Sequence, residues 1–237
     1  MDIVAPLETI EPDPTYLETR GKRKGAYWSR TYHNQRLEWP KTKMIFQLLD
    51  LQPGTKILDV GAGGGFFTFH FSDLVGDAGV VYANEIDEKL YRVLLAETAL
   101  ANKNNITPLL VHEFQLGVPE KSVDIIFSNN VYRWNDCCEI VNKQLVSAHA
   151  RALKQGGRVL LVNDFIHNRE WNTGQGKTGE TVVRGSDLGA EVLISLFEQE
   201  FRLLHYEATE RVNPSDNRRQ DTPAQLPEGY FLLFEKR

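Results

Sequence analysis

The feature that most narrows what this chain can fold into is an alternation of short apolar runs and helix-period segments between residues 56 and 162. KILDV (56–60), VVYAN (80–84), TPLLV (107–111), VDIIF (123–127) and RVLLV (158–162) have strand length and are apolar on both faces. FFTFHFSDLV, after the first run, can wind as a helix. The segment from about 87 to 102 places Leu90, Val93, Ala96 and Leu100 on one helical face. Cys138, Val141, Leu145, Ala148 and Ala152 do the same along a further helix, and Gly156-Gly157 stand where a helix ends on a left-handed residue. Doubly apolar strands separated by helices pair in parallel, with helices covering both faces. Ligands of such sheets bind beyond the carboxyl ends of the strands. The chemistry is therefore sought just after each run.

The flanks complete the expected layout. Residues 1–39 read as an N-terminal arm and aromatic cap segment, with Tyr27, Trp28, Tyr32 and Trp39. Within it, Arg20, Lys22, Arg23 and Lys24 form a basic cluster that reads as a solvated hinge or an anion-steering flap. Pro40 suits the first turn of a helix carrying Met44, Ile45, Leu48 and Leu49, and the folded domain is expected over 40–237. A helix from about 187 to 199, capped by Ser186, precedes FRLLHYEAT (201–209) and YFLLFEK (230–236). Two strands with no helix between them predict an antiparallel pair at the sheet edge. The expected fold is thus α/β: a doubly wound, mostly parallel seven-stranded sheet with a C-terminal antiparallel strand pair.

Composition excludes several classes. Apolar residues make up 41% and charged residues 25%, which is globular rather than disordered. A net charge of −5 lacks the excess of Lys and Arg that phosphate neutralisation demands, so no nucleic-acid partner is expected. Cys137 and Cys138 are adjacent and offer neither a disulfide framework nor a zinc set, which suits a reducing compartment. The N-terminus lacks a signal-peptide pattern, and no stretch approaches the ~18 continuous apolar residues of a membrane span. A cytoplasmic chain without membrane partners, monomeric or homodimeric, is expected.

The strongest local signal is Asp59-Val60-Gly61-Ala62-Gly63-Gly64-Gly65, directly after a strand and before a helix. Residues without Cβ atoms let the backbone turn tightly and approach a ligand closely. Glu85 stands at the tip of the second strand, where a carboxylate accepts hydrogen bonds from ribose hydroxyls. A dinucleotide pattern would need glycine at position 66, where Phe66 stands. With its D-x-G-x-G-x-G spacing, the chain resembles the class I S-adenosylmethionine-dependent methyltransferases over about residues 40–164, and among them the small-molecule type. Asp124 opening the fourth strand and Leu153-Lys-Gln-Gly-Gly157 before the fifth also match that family's pattern. The resemblance implies S-adenosylmethionine as cofactor, S-adenosylhomocysteine as product and no metal. It places Asp59 near the methionine amino group and Gly61, Gly63 and Gly65 along the methionine part. Glu85 falls on the ribose diol, Ile86 beside the adenine, and Glu113 with Phe114 near the adenine amino group. The C-terminal half, with Asn213-Pro-Ser-Asp216 ahead of GYFLLFEK, resembles a poorly characterised group of bacterial predicted methyltransferases.

The fourth strand runs into Ser128-Asn129-Asn130-Val131-Tyr132-Arg133-Trp134. N-N-V-Y resembles the N-P-P-Y motif of amide and adenine N-methyltransferases without its prolines. An Asn-x-x-aromatic-x-Trp stretch more closely resembles small-molecule methyltransferases, with Asn129 at the cofactor and Asn130 and Trp134 at the acceptor. A general base is needed only where the acceptor starts protonated. His33, His167 and Tyr132 are the catalytic candidates, and His70, His149 and His205 read as structural. Residues 165–185 form a long polar loop of lid character, with Trp171 and Arg184 as substrate contacts beside Tyr27, Trp28 and Tyr32. The expected function is methyl transfer to an oxygen or nitrogen of a small molecule. Alternatives are methylation of a protein side chain, a cofactor-binding subunit without catalysis, and a nicotinamide-dependent oxidoreductase.

Overall fold

The computed structural model describes residues 37–112, 115–132, 138–164, 190–209 and 229–237. The chain order is α1 (Pro40–Leu49), β1 (Lys56–Val60), α2 (Phe66–Val75), β2 (Val80–Glu85), α3 (Glu88–Ala101), β3 (Ile106–Leu110), β4 (Val123–Asn129), α4 (Cys138–Ala152), β5 (Leu153–Asp164), α5 (Ala190–Phe197), β6 (Phe201–Thr209) and β7 (Gly229–Lys236). The strands form one seven-stranded sheet in the order β3-β2-β1-β4-β5-β7-β6. β1 to β5 are parallel, and β7 runs antiparallel between β5 and β6. The mostly parallel sheet and its terminal antiparallel strands are those expected from the sequence.

Alternate strand residues feed two separate cores. Leu58, Val60, Ile126, Val159, Leu161, Leu232 and Phe234 pack with Val146 and Ala148 of α4 and with Leu193 and Phe197 of α5. Ile57, Val81, Ile125, Phe127, Leu160 and Val162 pack with Ile45 and Leu49 of α1 and the phenylalanines of α2. A period of two divides the sheet between its faces, and both faces are buried. Phe127, fully buried, meets Phe67 and Phe71 edge-on at centroid distances of 4.9 and 5.2 Å. Removing such a ring costs about 3–5 kcal/mol.

Several local expectations shift. On α3, Leu100 is 49% exposed, whereas Tyr91 and Leu94 turn inward beside Val93 and Ala96. Two adjacent stripes of this helix satisfy the same three-and-four spacing, and only the neighbouring sheet selects between them. The Gly156-Gly157 pair does not end α4, which stops at Ala152. It lies within β5, where the pairing steps from Val123↔Leu153 to Ile125↔Arg158. Gly156 has φ +70°, and a Cβ on Gly157 would lie 2.8 Å from Leu153 and 3.0 Å from the Asp124 carbonyl. Glycine serves a bulge there, a role that sequence does not distinguish from a helix stop. Ser186 lies outside the described residues. Among those described, no helix is long and apolar enough to cross a membrane.

Candidate functional site

The sheet reverses its winding at β1, whose neighbours are β2 on one side and β4 on the other. Crevices open beyond the carboxyl ends at such a switch point, and the glycine bend lies there. Gly61, Gly63 and Gly65 have φ of +68°, +58° and +92°, which L side chains rarely adopt. The bend is held by β2. The Gly61 N–H donates to Asn84 Oδ1 at 3.1 Å, the Ala62 N–H to the Asn84 carbonyl at 2.9 Å, and the Gly63 N–H to Glu85 Oε2 at 2.8 Å. Glu85 Oε1 accepts from the N–H groups of Ile86 and Asp87 at 2.8 and 2.9 Å. Three backbone donors thus orient one carboxylate that is 6% exposed. Ile86, beside it, is 64% exposed, an apolar surface next to a polar anchor.

Asp59 lies beneath the bend, 3% exposed, and accepts from Thr68 Oγ1 at 2.6 Å, which ties β1 to the first turns of α2. Burial pushes its carboxyl up to about 7, with the Glu85 charge adding to the rise and the hydrogen bonds from Thr68 opposing it. Gly65 caps α2 without a capping side chain. A Cβ there would lie 2.7 Å from Phe69 and 2.8 Å from Leu94, so its bareness also serves the packing of α2 on α3. A Cβ on Gly61 would come within 2.7 Å of Val131, so the loop after β4 closes directly on the bend. In that loop Asn130 has φ +59° and donates its N–H to the Val162 carbonyl at 2.8 Å.

Sequence reasoning missed Asn84 and Asn163. Asn163 Nδ2 donates to the Tyr132 carbonyl at 2.8 Å and to Tyr230 Oη at 3.0 Å, locking the loop after β4 to β5 and β7. A polar residue inside an otherwise apolar strand is the signal that points to both. Tyr132, expected at the reacting centre, belongs to the core instead. It is 1% exposed and packs against His149 and Phe197 at centroid distances of 6.0 and 5.9 Å. Burial pushes its hydroxyl well above the usual tyrosine range, and among the described residues it has no hydrogen-bond partner. A group so enclosed reaches no acceptor. His149 is structural, as expected: burial lowers it to about 4, and its Nδ1 meets the Leu145 carbonyl at 2.6 Å. Tyr27, Trp28, Tyr32, His33, Glu113, Phe114, Trp134, His167, Trp171 and Arg184 lie outside the described residues. Among the described residues, no three His, Cys, Asp or Glu side chains gather as a metal site.

The site fits S-adenosylmethionine. Its carboxylate suits a ribose diol, and its bend leaves no room for side chains. Among the described residues, the buried Asn129 Oδ1 and Ser128 Oγ, at the end of β4, have no hydrogen-bond partner. Phe66 is 3% exposed and fills the helix start where a dinucleotide fold carries its third glycine. The sheet order, the bend and the β2-tip carboxylate together define the Rossmann-like architecture of class I S-adenosylmethionine-dependent methyltransferases. The structure of a SAM-dependent methyltransferase from Aquifex aeolicus superposes with a TM-score of 0.61 at 18% identity, over 90% of this chain and 98% of that one.

Residues 42–162, more than half of the chain, match the family model described as Fibrillarin. The chain belongs to the fibrillarin family. The fibrillarin-like rRNA/tRNA 2'-O-methyltransferase of Pyrobaculum aerophilum is 28% identical over 120 residues, 49% of this chain and 48% of that protein. The rRNA 2'-O-methyltransferase fibrillarin of Giardia intestinalis is 34% identical over 119 residues, 48% of this chain and 33% of its own length. The chain spans about half the length, or less, of these curated relatives. Their names overturn the expectation of a small-molecule acceptor with no nucleic acid, and with it the placement in the small-molecule branch. Net charge is the wrong measure for that exclusion. It averages over the whole surface, whereas phosphate responds to cations within about a Debye length.

Proposed function

We propose that this chain is an S-adenosylmethionine-dependent methyltransferase that methylates a ribose 2'-oxygen of RNA. The observation that supports it most directly is the Glu85 carboxylate, fixed by three backbone N–H groups beside the glycine bend of a fibrillarin-family chain. Each carboxylate oxygen accepts more than one hydrogen bond, so Oε2 keeps capacity for a ribose hydroxyl after bonding Gly63. The cofactor, when bound, supplies an activated methyl group on its sulfonium. The chain's own task is to hold both partners in line and exclude water.

At the end of β4, the half-buried Asn129 and Asn130 carry amides toward the crevice mouth in this reading. Such groups orient a hydroxyl acceptor without removing its proton. The proton falls to His33 or His167, from the segments 1–39 and 165–185 that this reading uses as cap and lid. Arg20, Lys22, Arg23 and Lys24 are the candidates for phosphate contact. The relatives' named substrates supply the choice of RNA, and the reading places the chain in the cytoplasm.

Incubating the chain with methyl-tritiated cofactor and a mixture of rRNA and tRNA tests the proposal. A 2'-O-methyl group blocks alkaline cleavage of the adjoining phosphodiester, so label is expected in alkali-resistant dinucleotides. Label confined to mononucleotides or to protein would refute the acceptor. Binding of S-adenosylhomocysteine with no transfer to any acceptor would instead leave a cofactor-binding subunit.

A further inference from the structure

We infer that Asn84 is a positioning residue that joins the two walls of the cofactor crevice, so that ordering one end prepares the other. The inference rests on the proposed cofactor site and names a residue that site does not otherwise use. Asn84 is the penultimate residue of β2, paired with Val60 on β1 and with Leu109 on β3, and it is 2% exposed. Its Oδ1 accepts the Gly61 N–H at 3.1 Å and its carbonyl accepts the Ala62 N–H at 2.9 Å, which holds the bend. Its Nδ2 donates in the opposite direction, to the Leu116 carbonyl at 3.0 Å. The segment that follows β3 is thereby pinned twice to the end of β2, because the Val111 N–H also donates to the Glu85 carbonyl at 3.1 Å.

One carboxamide thus spans the glycine bend and the segment after β3, which in the proposed cofactor site face the amino-acid part and the base. Asparagine suits this place for a definite reason. A buried position needs both polar ends satisfied, and the amide offers one acceptor and one donor in a single rigid plane. Aspartate would set an acceptor against the Leu116 carbonyl, leucine would leave both backbone groups unpaired, and glutamine is a methylene too long. Each lost bond leaves a buried group unsatisfied and lets its wall drift.

Calorimetric titration of the chain and of its Asn84→Ala and Asn84→Asp variants tests the inference. The probes are S-adenosylhomocysteine, which spans both walls, and 5'-deoxy-5'-methylthioadenosine, which lacks the amino-acid part. Both variants unpin the segment after β3 and should weaken the fragment by roughly a few fold, and joined walls predict a further loss of about tenfold for S-adenosylhomocysteine. Asn84→Asp keeps the acceptor toward Gly61 and disturbs only the Leu116 side directly, so an excess in this variant comes through the joined walls and is the decisive result. Equal losses for both ligands, as a packing role alone would give, or no loss, would overturn the inference. If neither variant folds, amide exchange in the wild-type chain decides. Methylthioadenosine should slow exchange at Gly61 and Ala62, and unchanged rates there would overturn the coupling. Failure of the wild-type chain to bind S-adenosylhomocysteine would refute the cofactor reading itself, a separate outcome.

Discussion

Glu85→Gln separates the two tasks that the structure gives this carboxylate. The wild-type side chain accepts from Gly63 through Oε2 and from Ile86 and Asp87 through Oε1. A glutamine keeps the single oxygen it needs for Ile86 and Asp87 by turning its Nε2 toward Gly63. One charge-assisted hydrogen bond is then replaced by two opposed donors in a site that is 6% exposed in the wild type. A hydrogen bond to a charged group contributes about 1.5–3 kcal/mol, so unfolding without ligand should become easier by about 2 kcal/mol. Binding should weaken further, because the amide presents one acceptor fewer to the ribose diol. That loss is on the order of another 1.5 kcal/mol, roughly tenfold in Kd. Urea titration of the free chain measures the first quantity, and calorimetry with S-adenosylhomocysteine on the folded variant measures the second. Weaker binding at unchanged stability would refute the claim that Glu85 holds the bend. Lower stability with unchanged affinity would refute the ribose contact.

The two glycines at the ends of α2 give an internal comparison. Gly65→Ala meets Phe69 and Leu94 at a φ of +92°, whereas Gly76→Ala at φ +63° meets nothing within 4 Å. Denaturant titration should therefore show Gly76→Ala costing about 1–2 kcal/mol and Gly65→Ala roughly twice that, and equal costs would refute the packing role. Asp59 is raised from 3.8 to about 7, so the folded chain holds a proton there that the unfolded chain has released. Its contribution is greatest below pH 3.8 and is lost as pH rises toward about 7. Asp59→Asn should thus gain on the wild type by up to about 4 kcal/mol between pH 4 and pH 7 in urea titrations, and a pH-independent difference would remove burial as the cause. Tyr132→Phe deletes a buried hydroxyl that has no partner among the described residues; thermal melting should show a stability unchanged or higher by about 1 kcal/mol, with transfer activity intact. Loss of that activity in a well-folded variant would restore Tyr132 to the reacting centre.

The elements and the glycine bend of the candidate site were legible in the amino-acid order because their signals are local. Apolar strands, a helical period and a glycine bend after a strand each arise within a few residues, and β1, α2 and β6 emerge with the spans read from them. The tip of β2 is likewise local, and Glu85 could be read there before its hydrogen bonds were visible. Three things depended on neighbours distant in the chain. The sheet chose which stripe of α3 turns inward, leaving Leu100 outside. The pairing of β4 with β5 made a bulge of a glycine pair that alone reads as a helix stop. Core packing by His149 and Phe197 drew Tyr132 away from the chemistry. Asn84 and Asn163 stayed hidden for the same reason: a buried amide acquires a purpose only when groups from other strands meet it, at Gly61 and Leu116 for one and at Tyr132 and Tyr230 for the other. Amino-acid order sets local conformational preference and polarity, and only the assembled sheet decides which polar atoms face one another.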